Sequence, residues 1–163
     1  MNSQNIFTSI LMNNFPMAIA LIQGNSGYPD LHGKVFFYNT PFGGALVYVE
    51  VNGLPDKNPS SNFYGLHIHE FGNCTLPFDK TGNHYNPGNT QHPWHAGDLP
   101  PLLGNNGYAW MCVYTGRFSI PEILGKSVVI HGMRDDFTSQ PSGDSGAKIG
   151  CGVIRPAKEY SSP

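Results

Sequence analysis

Charge is scarce in this chain. Asp, Glu, Lys and Arg make up 12% of 163 residues, about half the usual share, with 9 basic against 11 acidic side chains and a formal net charge of −2. No basic stretch or polyanion-binding face follows from such a balance, so nucleic acid and acidic membranes are not expected partners. No apolar run approaches the roughly 20 residues that cross a bilayer, so no membrane-spanning segment is expected. The N-terminal run, Met1 to Gly24, has apolar residues but no Lys or Arg ahead of them, and so lacks the basic start of a secretion signal. Two compartments follow: cytoplasmic if Met1 is the native start, exported if a leader has been removed. Cysteine is sparse too. Cys74, Cys112 and Cys151 are an odd number, which leaves at least one thiol free if a disulfide forms. Internal repeats and linkers are absent.

Turn-forming residues are plentiful. Twenty glycines and 14 prolines accompany a hydrophobic content of 39%. That mixture predicts short strands and ordered loops rather than helices. Alternating or β-branched segments predict strands at Met17–Gln23, Lys34–Tyr38, Ala45–Val51, Gly65–Glu70, Tyr108–Tyr114, Arg117–Ile120, Ser127–His131 and Lys148–Ile154. Eight short strands with turns between them predict an all-β, antiparallel sandwich or barrel. The best helical segment is one turn beginning at Ser119, where Ser119 and Glu122 have capping-box spacing. The length suits one domain, residues 1–163, with residues 1–16 as an N-terminal extension. Two segments break the strand rhythm, Phe71 to Leu103 and Gly132 to Ala147. Long loops in a compact domain call for function or for ordering by a metal.

Histidine is concentrated in and beside those loops. Of seven, six lie between residues 67 and 131: His67, His69, His84, His92, His95 and His131; only His32 lies outside. His67 and His69, two apart on a predicted strand, share one face while Ile68 takes the other. Two imidazoles on one face can hold an ion, and His131, ending another strand, could join them. An isolated pair of this kind could equally be surface histidines; four further ligand-type residues at regular spacing argue for metal. His84, His92, His95 and Asp98 give three imidazoles and a carboxylate, a closed four-coordinate set suited to Zn²⁺ that would also order its loop.

The motifs Gly65-Leu-His-Ile-His-Glu-Phe-Gly, Gly82-Asn-His-Tyr-Asn-Pro, His95-Ala-Gly-Asp-Leu, Val129-Ile-His, Asp135-Asp and Gly150-Cys-Gly-Val-Ile resemble those of copper/zinc superoxide dismutases, from Met17 to Ile154. The resemblance implies an eight-stranded Greek-key barrel with two long functional loops. It implies copper on His67, His69, His84 and His131, zinc on His84, His92, His95 and Asp98, and His84 as a bridge that takes up and releases a proton. It implies that Asp135 links His67 to His92 from behind, that Cys74 pairs with Cys151, and that the substrate is superoxide. A homodimer is compatible with it. Cys112 has no counterpart and reads as a small strand residue. The short His92–His95 interval and the short second loop are similar to bacterial members. Lys148 stands where the family has an arginine that guides the anion; lysine keeps the charge and loses the planar fork. The alternative reading is a non-enzymatic copper- or zinc-binding module on the same fold. A zinc hydrolase fits less well, because the zinc set has no open position for water.

Overall fold

The computed structural model describes residues 3–55 and 61–160. Eight strands carry the fold: β1 Ala18–Gly24, β2 His32–Asn39, β3 Ala45–Asn52, β4 Phe63–His69, β5 Asp98–Leu103, β6 Ala109–Thr115, β7 Ser127–His131 and β8 Lys148–Pro156. They are antiparallel, in the order β5-β4-β7-β8-β1-β2-β3-β6. The end strands β5 and β6 approach each other, so the sheet curls into a nearly closed barrel. Closure hides most of the edge that an open sheet would expose.

Strict alternation builds the core. Ala45, Val47, Val49 and Val51 of β3 point inward with Val35 and Phe37 of β2, and all six are fully buried. On β4 and β7 the inward residues are Leu66, Ile68, Val128 and Ile130. Their outward residues, His67, His69, Val129 and His131, are buried as well. The reason is the long segment between β4 and β5, which folds back over this side of the barrel. Phe78 of that segment packs on Val129 and Cys151, with Cys74 beside them. Cys74 and Cys151 are disulfide-bonded across a separation of 77 residues. In the loop-entropy account such a link disfavours the unfolded chain by roughly 4–5 kcal/mol. It ties the loop to β8, on the same side of the barrel as His67 and Val129.

Three sequence expectations need correction. Asp98–Leu103 lies within the segment expected to lack a strand, yet it forms β5. Pro100 and Pro101 have no amide N–H to give to a ladder, but β5 stands at the end of the strand order, where a missing donor is tolerated. Arg117–Ile120, expected as a strand, is instead a bend that leads into the short helix α2, Ile120–Ile123. The predicted cap is there: the Glu122 carboxylate accepts from the Ser119 amide at 2.6 Å and from the Ser119 hydroxyl at 2.5 Å.

The third correction is an N-terminal helix, α1, Ser3–Asn13. Ile6, Phe7, Ile10 and Leu11 recur at helical spacing and pack on the outer face of β2, β3 and β6, against Phe36, Tyr38, Leu46, Tyr48 and Cys112. The Phe7 ring lies 5.7 Å from Tyr114 and 5.9 Å from Phe42. Eleven residues are marginal for an isolated helix, so α1 owes its order to this contact. Ile10 is its buried anchor. Ile10→Ala is expected to weaken docking by about 2 kcal/mol. Because Cys112 is the free thiol beneath α1, its reaction with an aromatic disulfide reagent should quicken at least about 10-fold through local opening. An unchanged Cys112 rate would mean that α1 does not shield that face.

Candidate metal centre

Each ligand-type side chain is delivered by an identifiable element. His67 and His69 stand on the outward face of β4, and His131 ends the neighbouring β7. A register shift between Ile130 and His131 places His131 opposite Lys148 of β8. His84 joins through a bridge to His69, and the Tyr85 amide donates to the Ile68 carbonyl at 2.7 Å. Gly97 closes the turn before Asp98. A Cβ there would come within 2.3 Å of the Ile68 carbonyl oxygen, so only glycine lets this backbone lie so near β4.

Two four-residue groups result, with His84 common to both: His67, His69, His84 and His131, then His84, His92, His95 and Asp98. All are buried. His32, exposed and 2.8 Å from the Asp30 carbonyl oxygen through Nδ1, takes no part.

The hydrogen bonds fix which nitrogen of each ring is free to ligate. His69 Nδ1 donates to the Gly82 carbonyl at 2.9 Å and His131 Nδ1 to the Gly146 carbonyl at 3.2 Å. Both Nε2 atoms therefore carry lone pairs, yet they face each other at 3.2 Å. Two acceptors at that distance repel unless a cation sits between them. His67 and His92 donate through Nε2 to the two oxygens of one carboxylate, Asp135, at 2.8 and 2.9 Å. Their Nδ1 atoms, with His84 Nε2 and His95 Nδ1, are buried and have no hydrogen-bond partner among the described residues. Such orphans are costly unless another ligand satisfies them.

In the second group, His84 Nδ1 lies 2.7 Å from Asp98 Oδ1, while His92 Nδ1 and His95 Nδ1 lie 3.1 and 3.4 Å from Oδ2. The last two are close without being aligned as hydrogen bonds, as expected when lone pairs converge on a shared point. A tetrahedral zinc ion with ligands at about 2.0–2.2 Å has ligand–ligand edges of roughly 3.3 Å. The donor set fits a cation of that kind.

Burial keeps the rings of His67, His69 and His131 neutral and able to ligate. Burial, reinforced by His131 and His84, pushes His69 down to about 2; burial pushes His131 down to about 4. His67 is driven well below the ordinary imidazole value by burial and by His84 and His131. Burial alone would raise Asp98, but the hydrogen bond with His84 and the surrounding histidines outweigh it and hold the carboxyl below its usual range.

The second loop, between β7 and β8, supplies Asp135 and closes tightly over it. A Cβ on Gly143, which has φ +69°, would fall 2.0 Å from Asp135 Oδ1 and 2.7 Å from His92 Nε2. Asp136 beside it is a turn residue, accepting from Thr138 and Ser139 amides at 2.8 Å each. Lys148 Nζ donates to Thr81 Oγ1 at 2.8 Å and to the Gly82 carbonyl at 3.0 Å, the same carbonyl that holds His69. Thr81 serves the site through its hydroxyl, Gly146 through its carbonyl, Arg117 through its guanidinium and Gln140 through its side-chain amide, and nothing in their sequence context signals it.

Comparison with known proteins agrees with this geometry. Residues 31–154 match the family model described as copper/zinc superoxide dismutase (SODC). The chain is 35% identical to Superoxide dismutase [Cu-Zn] 3 of Arabidopsis thaliana, covering 84% of this chain and 88% of the plant protein. It is 33% identical to the Superoxide dismutase [Cu-Zn] of Deinococcus radiodurans, covering 76% of each. It is 35% identical to the mouse extracellular superoxide dismutase [Cu-Zn], covering 77% of this chain but spanning about half of the mouse protein, 54%. The crystal structure of the clock protein EA4 superposes with a TM-score of 0.74 at 25% identity, covering 86% of this chain and 95% of that one. Copper and zinc, the metals named in these relatives, match what the two ligand groups can hold. On matched length, on identity and on a barrel that carries both groups, the chain belongs to the copper/zinc superoxide dismutase family.

Proposed function

We propose that this protein is a superoxide dismutase, converting two superoxide anions and two protons to dioxygen and hydrogen peroxide. In this reading residues 1–163 act as one domain with residues 1–16 as an extension. His67, His69, His84 and His131 would hold copper; His84, His92, His95 and Asp98 would hold zinc. When bound, copper supplies a one-electron couple and zinc a fixed positive charge. The observation that carries the reading is the shared ring of His84, with Nε2 in one group and Nδ1 in the other.

This chain's own residues have separable tasks. His84 Nε2 is the atom that can take a proton and return it to the product, while Nδ1 stays on the zinc side. Asp135 orients His67 and His92 by accepting from their outer nitrogens, which fixes both tautomers. Lys148 places a cation beside His69 and opposite His131, where an approaching anion would meet it. The outward strand residues and the disulfide-tied loop keep the ligands dry and fixed.

Metal analysis of the purified protein combined with a superoxide-decay assay tests the proposal. Protein loaded with one copper and one zinc should accelerate decay far beyond the same protein stripped of metal. Protein that binds both metals tightly and leaves decay unchanged would be a binding module instead.

A further inference from the structure

We propose that Gln140 and Arg117 are positioning residues that hold the backbone of the His92–His95–Asp98 arm in ligating geometry before zinc arrives. The inference rests on the reading of the second group as a zinc site. Neither residue offers an atom to the metal.

Gln140 belongs to the second loop, five residues after Asp135. Its amide nitrogen donates to the His92 carbonyl at 2.7 Å, and its amide oxygen accepts from the His92 N–H at 3.0 Å. A primary amide presents a donor and an acceptor side by side, as a peptide group does. The pair therefore copies one step of a β-ladder and fixes the orientation of His92 as well as its position. The same loop pins the far side of the ring, where His92 Nε2 donates to Asp135 Oδ1. His92 is thus clamped at main chain and ring edge, leaving Nδ1 aimed at Asp98 and His95.

Arg117 acts from the opposite flank, just after β6. Its Nη1 lies 2.8 Å from the Pro93 carbonyl oxygen, 3.3 Å from that of His95 and 3.4 Å from that of Asp98. One nitrogen carries two protons, so one serves Pro93 and the other is shared between the two longer contacts. The Trp94 ring packs 5.8 Å from the guanidinium carbon. Three carbonyls along the turn that carries His95 and Asp98 thus converge on one fixed charge. Lysine keeps the charge but loses the planar guanidinium that lies against the Trp94 ring and fixes the direction of that nitrogen.

Ordinary loop stitching is the competing explanation, and the loop itself provides its control. Asn86 and Thr90 close a separate turn in the same segment, through contacts of 2.8 and 3.0 Å that touch none of residues 92–98. Gln140→Ala, Arg117→Ala and Asn86→Ala are compared in the full chain, metal-free, with zinc affinity read by competition against a chromophoric chelator. Partners that orient a metal's ligands typically contribute 10–100-fold in affinity. Gln140→Ala and Arg117→Ala are each expected to weaken zinc about 10-fold or more, with copper affinity in zinc-free protein unchanged within about 2-fold. Asn86→Ala should leave zinc within about 2-fold. Hydrogen exchange at the 92–98 amides should quicken in the first two variants only. Gln140→Glu, which keeps the shape but loses the donor to the His92 carbonyl, and Arg117→Lys, which keeps the charge, serve if an alanine variant does not fold; each should still weaken zinc. Equal zinc affinity across wild type and variants overturns the positioning role while leaving the zinc site intact. An equal loss in Asn86→Ala overturns it in favour of general loop order. Wild type that binds no zinc at this group overturns the site reading and the inference together.

Discussion

His84→Ala is expected to abolish nearly all dismutase activity and to disturb both metals at once. Every other residue of the two groups belongs to one group; His84 belongs to both. Loss of a partner that merely orients a ligand costs roughly 10–100-fold in metal affinity, so loss of a ligand shared by two ions should exceed that for zinc. It also removes the ring that sits 3.9 Å from His67 and 5.0 Å from His69. His95→Ala is the matched control, since His95 lies only in the second group. It should weaken zinc and leave copper binding in place. In wild type the Cu(II) absorption and paramagnetic spectra should change when zinc is removed, because one ring transmits the change. That zinc sensitivity should vanish in His84→Ala. Cu(II) spectra indifferent to zinc in wild type, and unchanged in His84→Ala, would show that the ring does not join the two sites.

The parts of this molecule that were legible in the sequence are those whose signal is local. The β3 alternation of Ala45, Val47, Val49 and Val51 against Leu46, Tyr48 and Glu50 is a period of two, and it decides the inward face without tertiary information. The His67-Ile68-His69 triplet is likewise local: one strand geometry sends both rings outward and Ile68 into the core. The spacing of His92, His95 and Asp98 gave their proximity, because a single turn brings them together. What the sequence hid depends on a partner far along the chain. Pro100 and Pro101 look incompatible with pairing until β5 is seen to be an edge. Arg117 reads as a strand residue until its guanidinium is found on three carbonyls some twenty residues away. The α1 helix did carry a signal, Ile6, Phe7, Ile10 and Leu11 at helical spacing, but the glycine- and proline-rich composition of the whole pointed to strands.

The scarcity of charge that marks the sequence gives one lysine unusual weight. Superoxide is a small anion and the chain carries a net charge of −2, so attraction must come from a local field. In the proposed reaction Lys148 is the residue that would supply it. It opens β8 opposite His131, and its ammonium is held by Thr81 Oγ1 and by the carbonyl that also holds His69. Two of its three protons are used in those contacts, which leaves one for an incoming oxygen. Burial is the main reason that His69 and His131 resist protonation, and the Lys148 charge adds to it in the same direction. Steering by focused charge is worth 10- to 10³-fold in association rate. Lys148→Ala is therefore expected to lower the second-order rate about 10-fold and Lys148→Glu about 100-fold, where attraction becomes repulsion. Raising ionic strength should slow the wild type more than Lys148→Ala, because screening at a Debye length of about 8–10 Å removes an attraction the variant lacks. In Lys148→Glu the slope should reverse. Lys148→Arg should match or exceed the wild type if a planar fork orients the anion better than a point charge. Metal content must be equal in all four proteins, so that the rate reports approach rather than loading. Wild type and Lys148→Glu with the same rate and the same salt slope would reduce this lysine to a brace for Thr81 and Gly82.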